Sequence, residues 1–200
     1  MTAPRTLLSM AGAPAHPSPL DRAALVIVDA QVEYTSRGNL PLAGVDAAVE
    51  ETARLLALAR RHGVPVFHVV HHGPAGSPIF DPQGPGSAII PAVAPSQGEA
   101  VVTKGLPNSF AGTDLHARIA ATGRKELIIA GFMTHMCISA TARAALDLGY
   151  RNTVVAAATA TRDLPGPMGG VVPASELQRN ELAALADMFA VVVNDSKTWA

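Results

Sequence analysis

Cys137 is the one cysteine among the 200 residues of the chain. A single thiol excludes an internal disulfide framework and points to a reducing compartment, the cytoplasm. Aromatic side chains are scarce, at 4%, although 48% of the residues are hydrophobic. Ala, Val, Leu and Ile must therefore build the core, the composition of a helix-covered parallel sheet. Neither sign of charge is in excess: the formal net charge is −1, with acids and bases scattered. Without a basic patch or an acidic tail, nucleic acid is not an expected partner. No apolar run approaches the roughly 18 residues that suggest a membrane span, so no membrane partner is expected either. Long sequence repeats are absent too. The length suits one domain with a real core.

Short apolar runs recur instead: ALVIV (24–28), PVFHVV (65–70), AVVT (100–103), ELIIA (126–130), NTVVAAA (152–158) and AVVVN (190–194). They are almost wholly apolar rather than alternating, as in strands covered on both faces. Between the first two, DAAVEETARLLALARRHG carries Val49, Ala53, Leu56 and Ala57 at helical spacing and ends in basic residues and Gly63. Residues 113–123 read as a shorter helix with Thr113 as N-cap, and 141–150 as a helix after the cysteine. Residues 175–190 read as a further helix, with Ser175 and Gln178 forming a capping box. Alternating strands and helices predict an α/β fold: a three-layer αβα sandwich around a six-stranded, mostly parallel sheet. Its strand order is not fixed by the sequence.

Residues 21–200 form the expected domain, preceded by an arm at 1–20. The arm has an early Arg, a short apolar patch and an AGAPA stretch, features of a weak secretory signal. TLLSMA is too short and too weakly apolar for that, so the arm reads as flexible Pro/Ala chain, with a neighbouring subunit as one place to pack. Two stretches dense in Pro and Gly, 71–97 and 162–173, interrupt the pattern. The first is too long for a simple connector and reads as a wall or lid over a site.

In open α/β sheets, ligands bind beyond the carboxyl ends of the strands. Three reactive side chains fall there: Asp29 after ALVIV, Lys104 after AVVT and Cys137 after ELIIA. An aspartate ending a buried strand must be paired. Partial burial raises its pKa and a nearby lysine lowers it, and a carboxylate so tuned can take a proton from a thiol. Lys104 reads alone as a lysine snorkelling from a strand end. Between a carboxylate and a thiol, it would lower the cysteine pKa. Cys137 reads alone as an inert core thiol. THMC leads into a helix, however, and first-turn N–H groups favour a thiolate and can hold an oxyanion.

VDAQ, TKGLPNSF and GFMTHMCISATARAALDLGY resemble the three motifs of the isochorismatase-like cysteine hydrolases, in order and spacing, and the likeness runs from about residue 23 to 194. The resemblance implies a Rossmann-like fold and an Asp29–Lys104–Cys137 triad. It implies a cis peptide at Phe132–Met133 that turns the Met133 N–H inward to form an oxyanion hole with the Cys137 N–H. It also implies hydrolysis of an amide- or carbamoyl-type C–N bond of a small molecule through a thioester, with no cofactor, in a homodimer or homotetramer. Gln31, Tyr34, His71, His72, Phe80, Asn108, Phe110 and His135 are candidates for the substrate pocket. The Asp-x-His metal pair of nicotinamidases is missing from FHVVHHGPAGSPIF (67–80). That argues against nicotinamide as substrate. His68, His71 and His72 could attract a metal but have no acid nearby in the sequence, so no metal is expected. AAAT (156–159) stands where many relatives carry an Asp. Two other readings remain open: isochorismate-type vinyl ether hydrolysis, which needs an acid rather than a thiol, and a thiol redox or stress protein, which lacks a resolving cysteine. A scaffold for protein interactions is a third.

Overall fold

The computed structural model describes residues 3–200. In chain order the elements are α1 (Leu7–Met10), β1 (Ala23–Val28), α2 (Val45–Arg61), β2 (Val66–His71), β3 (Ala100–Lys104), α3 (Leu115–Ala121), β4 (Glu126–Phe132), α4 (Ser139–Asp147), β5 (Arg151–Ala160), β6 (Leu164–Pro165), β7 (Val171–Val172), α5 (Ala174–Met188) and β8 (Val191–Val193). Six of the strands form one sheet in the order β3-β2-β1-β4-β5-β8, and every pairing in it is parallel. The Val/Ile/Ala runs form strands because both faces are covered. On one face α2 packs Leu55, Leu56 and Ala59 against Leu25, Ile27 and Ile128. On the other, Leu115, Ile119, Ala142, Ala145 and Leu185 cover Val26, Val69, Leu127 and Ile129. This is the expected three-layer α/β sandwich.

β1 leads outward to β2 and β3, whereas β4 leads the other way to β5 and β8. The chain therefore changes direction between β1 and β4, the place where such sheets bind ligands. Gly131 makes that seam possible. Its φ is +111°, and a Cβ there would overlap the Val28 carbonyl oxygen of β1. Only glycine tolerates both conditions.

Several local expectations shift. The buried stripe of α2 runs through Val45, Ala48, Val49, Thr52, Leu55, Leu56 and Ala59, which leaves Ala57 exposed. Ser175 does not cap α5: Pro173 precedes the helix, and Asp163 Oδ1 accepts the Ala174 N–H at 2.7 Å. Gln178 turns instead to Thr159 Oγ1, at 2.8 Å. Thr113 accepts the Leu115 N–H at 3.3 Å, but it stands one position ahead of the residue at the N-cap, Asp114. The segment before β1 runs along this same chain: Leu7 N donates to Asp187 Oδ1 at 2.8 Å, and Ser18 N to Thr153 Oγ1 at 2.8 Å. Among the described residues no helix is long and apolar enough to cross a membrane.

The Pro/Gly-rich stretch after β2 is a fixed wall. Ile90 N donates to Ala30 O and Val32 N to Ala88 O, both at 2.9 Å. Val93 is fully buried beneath it. This moors the wall to the segment that follows β1, directly beside the seam.

Candidate active site

Asp29 follows the last residue of β1 in a left-handed conformation, φ +50°. Asp adopts that region more readily than most residues. Its N–H still donates to Val69 O at 2.8 Å, while its carbonyl accepts Gln31 N at 2.8 Å. The chain thus leaves the strand alternation at this residue. Lys104 is the last residue of β3 and stands in register with His71 at the end of β2. Cys137 lies in a wide, π-type turn, Thr134–Ile138, continuous with α4. The thiol does fall in the first turn of the helical segment, but that turn is wider than an α-turn.

These elements bring the three side chains together. Lys104 Nζ is 2.7 Å from Asp29 Oδ2 and 3.3 Å from Cys137 Sγ. The side chains of Asp29 and Lys104 have no exposure at all. The contact with Oδ2 is an ion pair without hydrogen-bond alignment, and Oδ1 has no partner among the described residues. Burial raises the Asp29 pKa to about 6 against the opposing pull of the Lys104 charge and the close polar contacts of Lys104 and Cys137. The thiol departs from expectation. Burial first, then the Asp29 charge, push Cys137 up to about 12, outweighing Lys104. Solvent exclusion penalises any anion here, and the carboxylate already occupies the site as one. The resting pair is therefore carboxylate and thiol, not the thiolate that a lysine neighbour and helix N–H groups alone would give.

Aromatic rings wall the site. Tyr34 meets Phe80 edge-on with centroids 5.2 Å apart, and Phe132 at 5.8 Å. The charges of Asp29 and Cys137, after burial, push the Tyr34 pKa up, which places its ring beside the triad. His71 meets Phe80 at 5.0 Å, and its Nδ1 lies 3.5 Å from Lys104 Nζ. The Phe132–Met133 peptide is cis. Met133 is extended, and its carbonyl accepts Met136 N and Ile138 N at 3.0 and 3.2 Å, opening the wide turn. His135 is half-buried and bonds Thr161 Oγ1 through Nδ1 at 2.6 Å. The half-buried His72 donates its N–H to Lys104 O at 3.0 Å.

Three pocket candidates have other work. Gln31 is fully buried. Its Nε2 donates to His71 O and Ser87 O at 2.9 Å each, and its Oε1 accepts His71 N at 2.8 Å. It clamps β2 to the wall rather than lining a pocket, because its amide satisfies a buried backbone N–H and C=O. Phe110 stacks on Tyr150, with centroids 6.0 Å apart, and Asn108 Oδ1 accepts the Phe110 N–H at 2.9 Å. Tyr150 immediately precedes β5, so this pair belongs to the strand-start end of the sheet.

Arg162 and Glu33 went unnoticed in the sequence. Arg162 lies two residues past β5; its charge opposes the rise at Tyr34 and helps lower the pKa of His135, and its Nε is buried with no partner among the described residues. A basic residue just beyond a strand's carboxyl end is the signal that marks it. Glu33 is buried, and its carboxylate accepts Asn39 N at 2.8 Å and Phe80 N at 3.4 Å, tying two loops together. In sequence it looks like an ordinary surface acid.

His68 does not join His71 and His72. Its Nε2 pairs with Glu99 Oε2 at 2.9 Å. Among the described residues no three His, Cys, Asp or Glu side chains converge as metal ligands. The open cavities of about 440 and 670 Å³ include none of the triad in their linings.

The Isochorismatase domain family matches residues 23–196. A secreted isochorismatase effector of Verticillium dahliae is 37% identical over 186 residues, 93% of this chain and 95% of its own length. Maleamate amidohydrolase of Pseudomonas putida is 36% identical over 147 residues, covering 66% of this chain and 69% of its own. The crystal structure of an isochorismatase from Pseudomonas putida KT2440 superposes with a TM-score of 0.91 at 45% identity, covering 96% of this chain and 97% of that one. The fold, the motif order and these matches agree: the chain belongs to the isochorismatase family of hydrolases.

Proposed function

We propose that the protein hydrolyses a C–N bond of a small amide or carbamoyl compound through a Cys137 thioester. The observation that carries this reading is the single buried ammonium of Lys104, 2.7 Å from a carboxylate and 3.3 Å from a thiol. Asp29, with its pKa raised to about 6, is a base matched to neutral pH. As Sγ attacks the carbonyl carbon, the thiol proton passes to Asp29, so free thiolate need not accumulate. The oxyanion rests on the N–H groups of Met133 and Cys137. Asp29 then gives its proton to the leaving nitrogen, and ammonia or an amine departs. Water, deprotonated by the same carboxylate, cleaves the thioester to the acid and returns the thiol. Lys104 holds the charge of the pair steady throughout. Tyr34, Phe80 and Phe132 exclude water, which strengthens each of these interactions.

The amidohydrolase activity named for one relative supports the bond type. The name isochorismatase keeps vinyl ether hydrolysis as the second reading. There Asp29 would act as the acid and Cys137 would be dispensable. A redox role needs an accessible thiolate, and a thiol pushed up to about 12 by burial argues against one. Self-association as a dimer or tetramer belongs to the same proposal, with the exposed apolar Leu106, Met136 and Met168 beyond β3, β4 and β5 as its contact. So does a cytoplasmic location, to which the secreted relative is the counter-case; light scattering and cell fractionation test the two.

The deciding experiment is ammonia release from small amides, ureides and carbamoyl compounds, maleamate included, with pyruvate release from a vinyl ether beside it. Wild type is compared with Cys137→Ala. Ammonia release that disappears in the variant supports the proposal. Vinyl ether cleavage that survives the variant overturns it.

A further inference from the structure

β2 lies between β3 and β1 in the sheet. The Lys104 side chain must therefore cross the end of β2 to reach Asp29. The residue it crosses is its register partner, His71, and Nζ passes 3.5 Å from His71 Nδ1. A lysine ammonium has three donors and no acceptor, and this one is wholly buried. Two groups stand in hydrogen-bonding geometry to it, Cys137 Sγ and His71 Nδ1, and Asp29 Oδ2 supplies the ion pair. The buried cation thus meets two hydrogen-bond acceptors and one counter-charge, and losing either acceptor would leave it under-satisfied. An ammonium can only donate, so Nδ1 must accept, and the ring proton must sit on Nε2. The imidazole is held to this task. Gln31 grips both the N–H and the carbonyl of His71, and Phe80 meets the ring edge-on at 5.0 Å. Among the described residues Nε2 has no partner, and it is not one of the buried orphan atoms.

We propose that His71 is a positioning residue, a neutral imidazole protonated on Nε2 whose Nδ1 fixes the Lys104 ammonium against Asp29 and Cys137. This rests on the hydrolase reading of the triad. The environment agrees with it: burial, then the charge of Lys104 and the neighbouring His72, lower the ring's pKa to about 4.

Two measurements test it, and neither needs a substrate. Imidazole ¹⁵N–¹H correlation of the wild-type protein should show one ring with Nδ1 bare and Nε2 protonated from pH 5.5 to 8, absent from the His71→Asn spectrum. A proton on Nδ1, or a ring titrating near its ordinary value, overturns the proposal. Labelling of Cys137 by iodoacetamide, followed by mass spectrometry, compares two variants. Asn can place its amide oxygen where Nδ1 was; Phe keeps the ring and removes the acceptor. Labelling within about threefold of wild type for His71→Asn and about tenfold slower for His71→Phe is the expected pattern, the size of one unmet buried donor. The reverse order, or equal rates in all three proteins, would mean that the ring merely packs on Phe80 and overturns it. Failure of every amide to turn over would sink the proposed reaction while leaving both of these readouts intact.

Discussion

The pH dependence of turnover follows from the shared proton of Asp29 and Cys137. The two titrate as a pair, with values of about 6 and about 12. The competent form holds one proton between them. A second proton neutralises Asp29 and leaves no base. kcat/KM should therefore fall on the acid side as a single ionisation near pH 6: to about half at pH 6, about one-eleventh at pH 5 and about one-hundredth at pH 4. On the alkaline side the thiol, raised from 9.0 to about 12, gives no increase through pH 8 to 9. The same shift has a stability counterpart. The native carboxyl binds its proton more tightly than the unfolded one, so its contribution is fully present below pH 3.8 and is lost as pH rises through about 6. A rise from 3.8 to about 6 corresponds to about 3 kcal/mol. Initial rates of ammonia release from pH 4 to 9.5 at constant ionic strength, with each sample returned to pH 7 to check recovery, measure the profile. An acid limb near 4, or a rate climbing tenfold per unit through pH 8, would refute the account of the pair.

Two further outcomes concern the scaffold. Gly131→Ala should lose more than about 3 kcal/mol of stability, since a φ of +111° is strained for alanine and its methyl overlaps Val28 O; a melting temperature within a few degrees of wild type would contradict the close approach. Glu99 is held down to about 2, chiefly by its hydrogen bond from Arg60, with the Ser96 N–H and His68 adding. Its stabilising contribution is present above 4.5 and lost as pH falls towards 2. The melting-temperature gap between wild type and Glu99→Gln should close between pH 5 and 2, and a gap that persists at pH 2 would show that the pairing is not electrostatic.

The sheet was legible because its strands are buried on both faces and read as unbroken apolar runs. The convergence of Asp29, Lys104 and Cys137 was legible because three reactive residue types stand at or beyond the ends of three such runs. Other features were not. An i→i+5 turn such as Thr134–Ile138 has no sequence signature of its own. The capping box at Ser175 failed because the helix starts one residue earlier, with the Ala174 N–H held by Asp163 Oδ1 from a distant loop and Gln178 engaged by Thr159. Gln31 and Phe110 looked like pocket residues because sequence shows a side chain's chemistry but not its nearest partner. The thiol pKa was misjudged for a related reason: the neighbouring lysine is visible in the motif, whereas the depth of burial that opposes it exists only in three dimensions.

The deep seat of Cys137 has a consequence for watching the molecule open and close. In the unfolded chain this thiol is an ordinary one; in the folded chain it is 5% exposed and bound in a proton-sharing pair. A reagent too bulky for the closed site, unlike a small substrate or iodoacetamide, must then wait for an excursion of the wide turn or of the whole domain. The lone sulfur is a natural clock: the rate at which an excess of such a bulky reagent marks it counts the openings of the seam between β1 and β4, with no probe introduced into the protein.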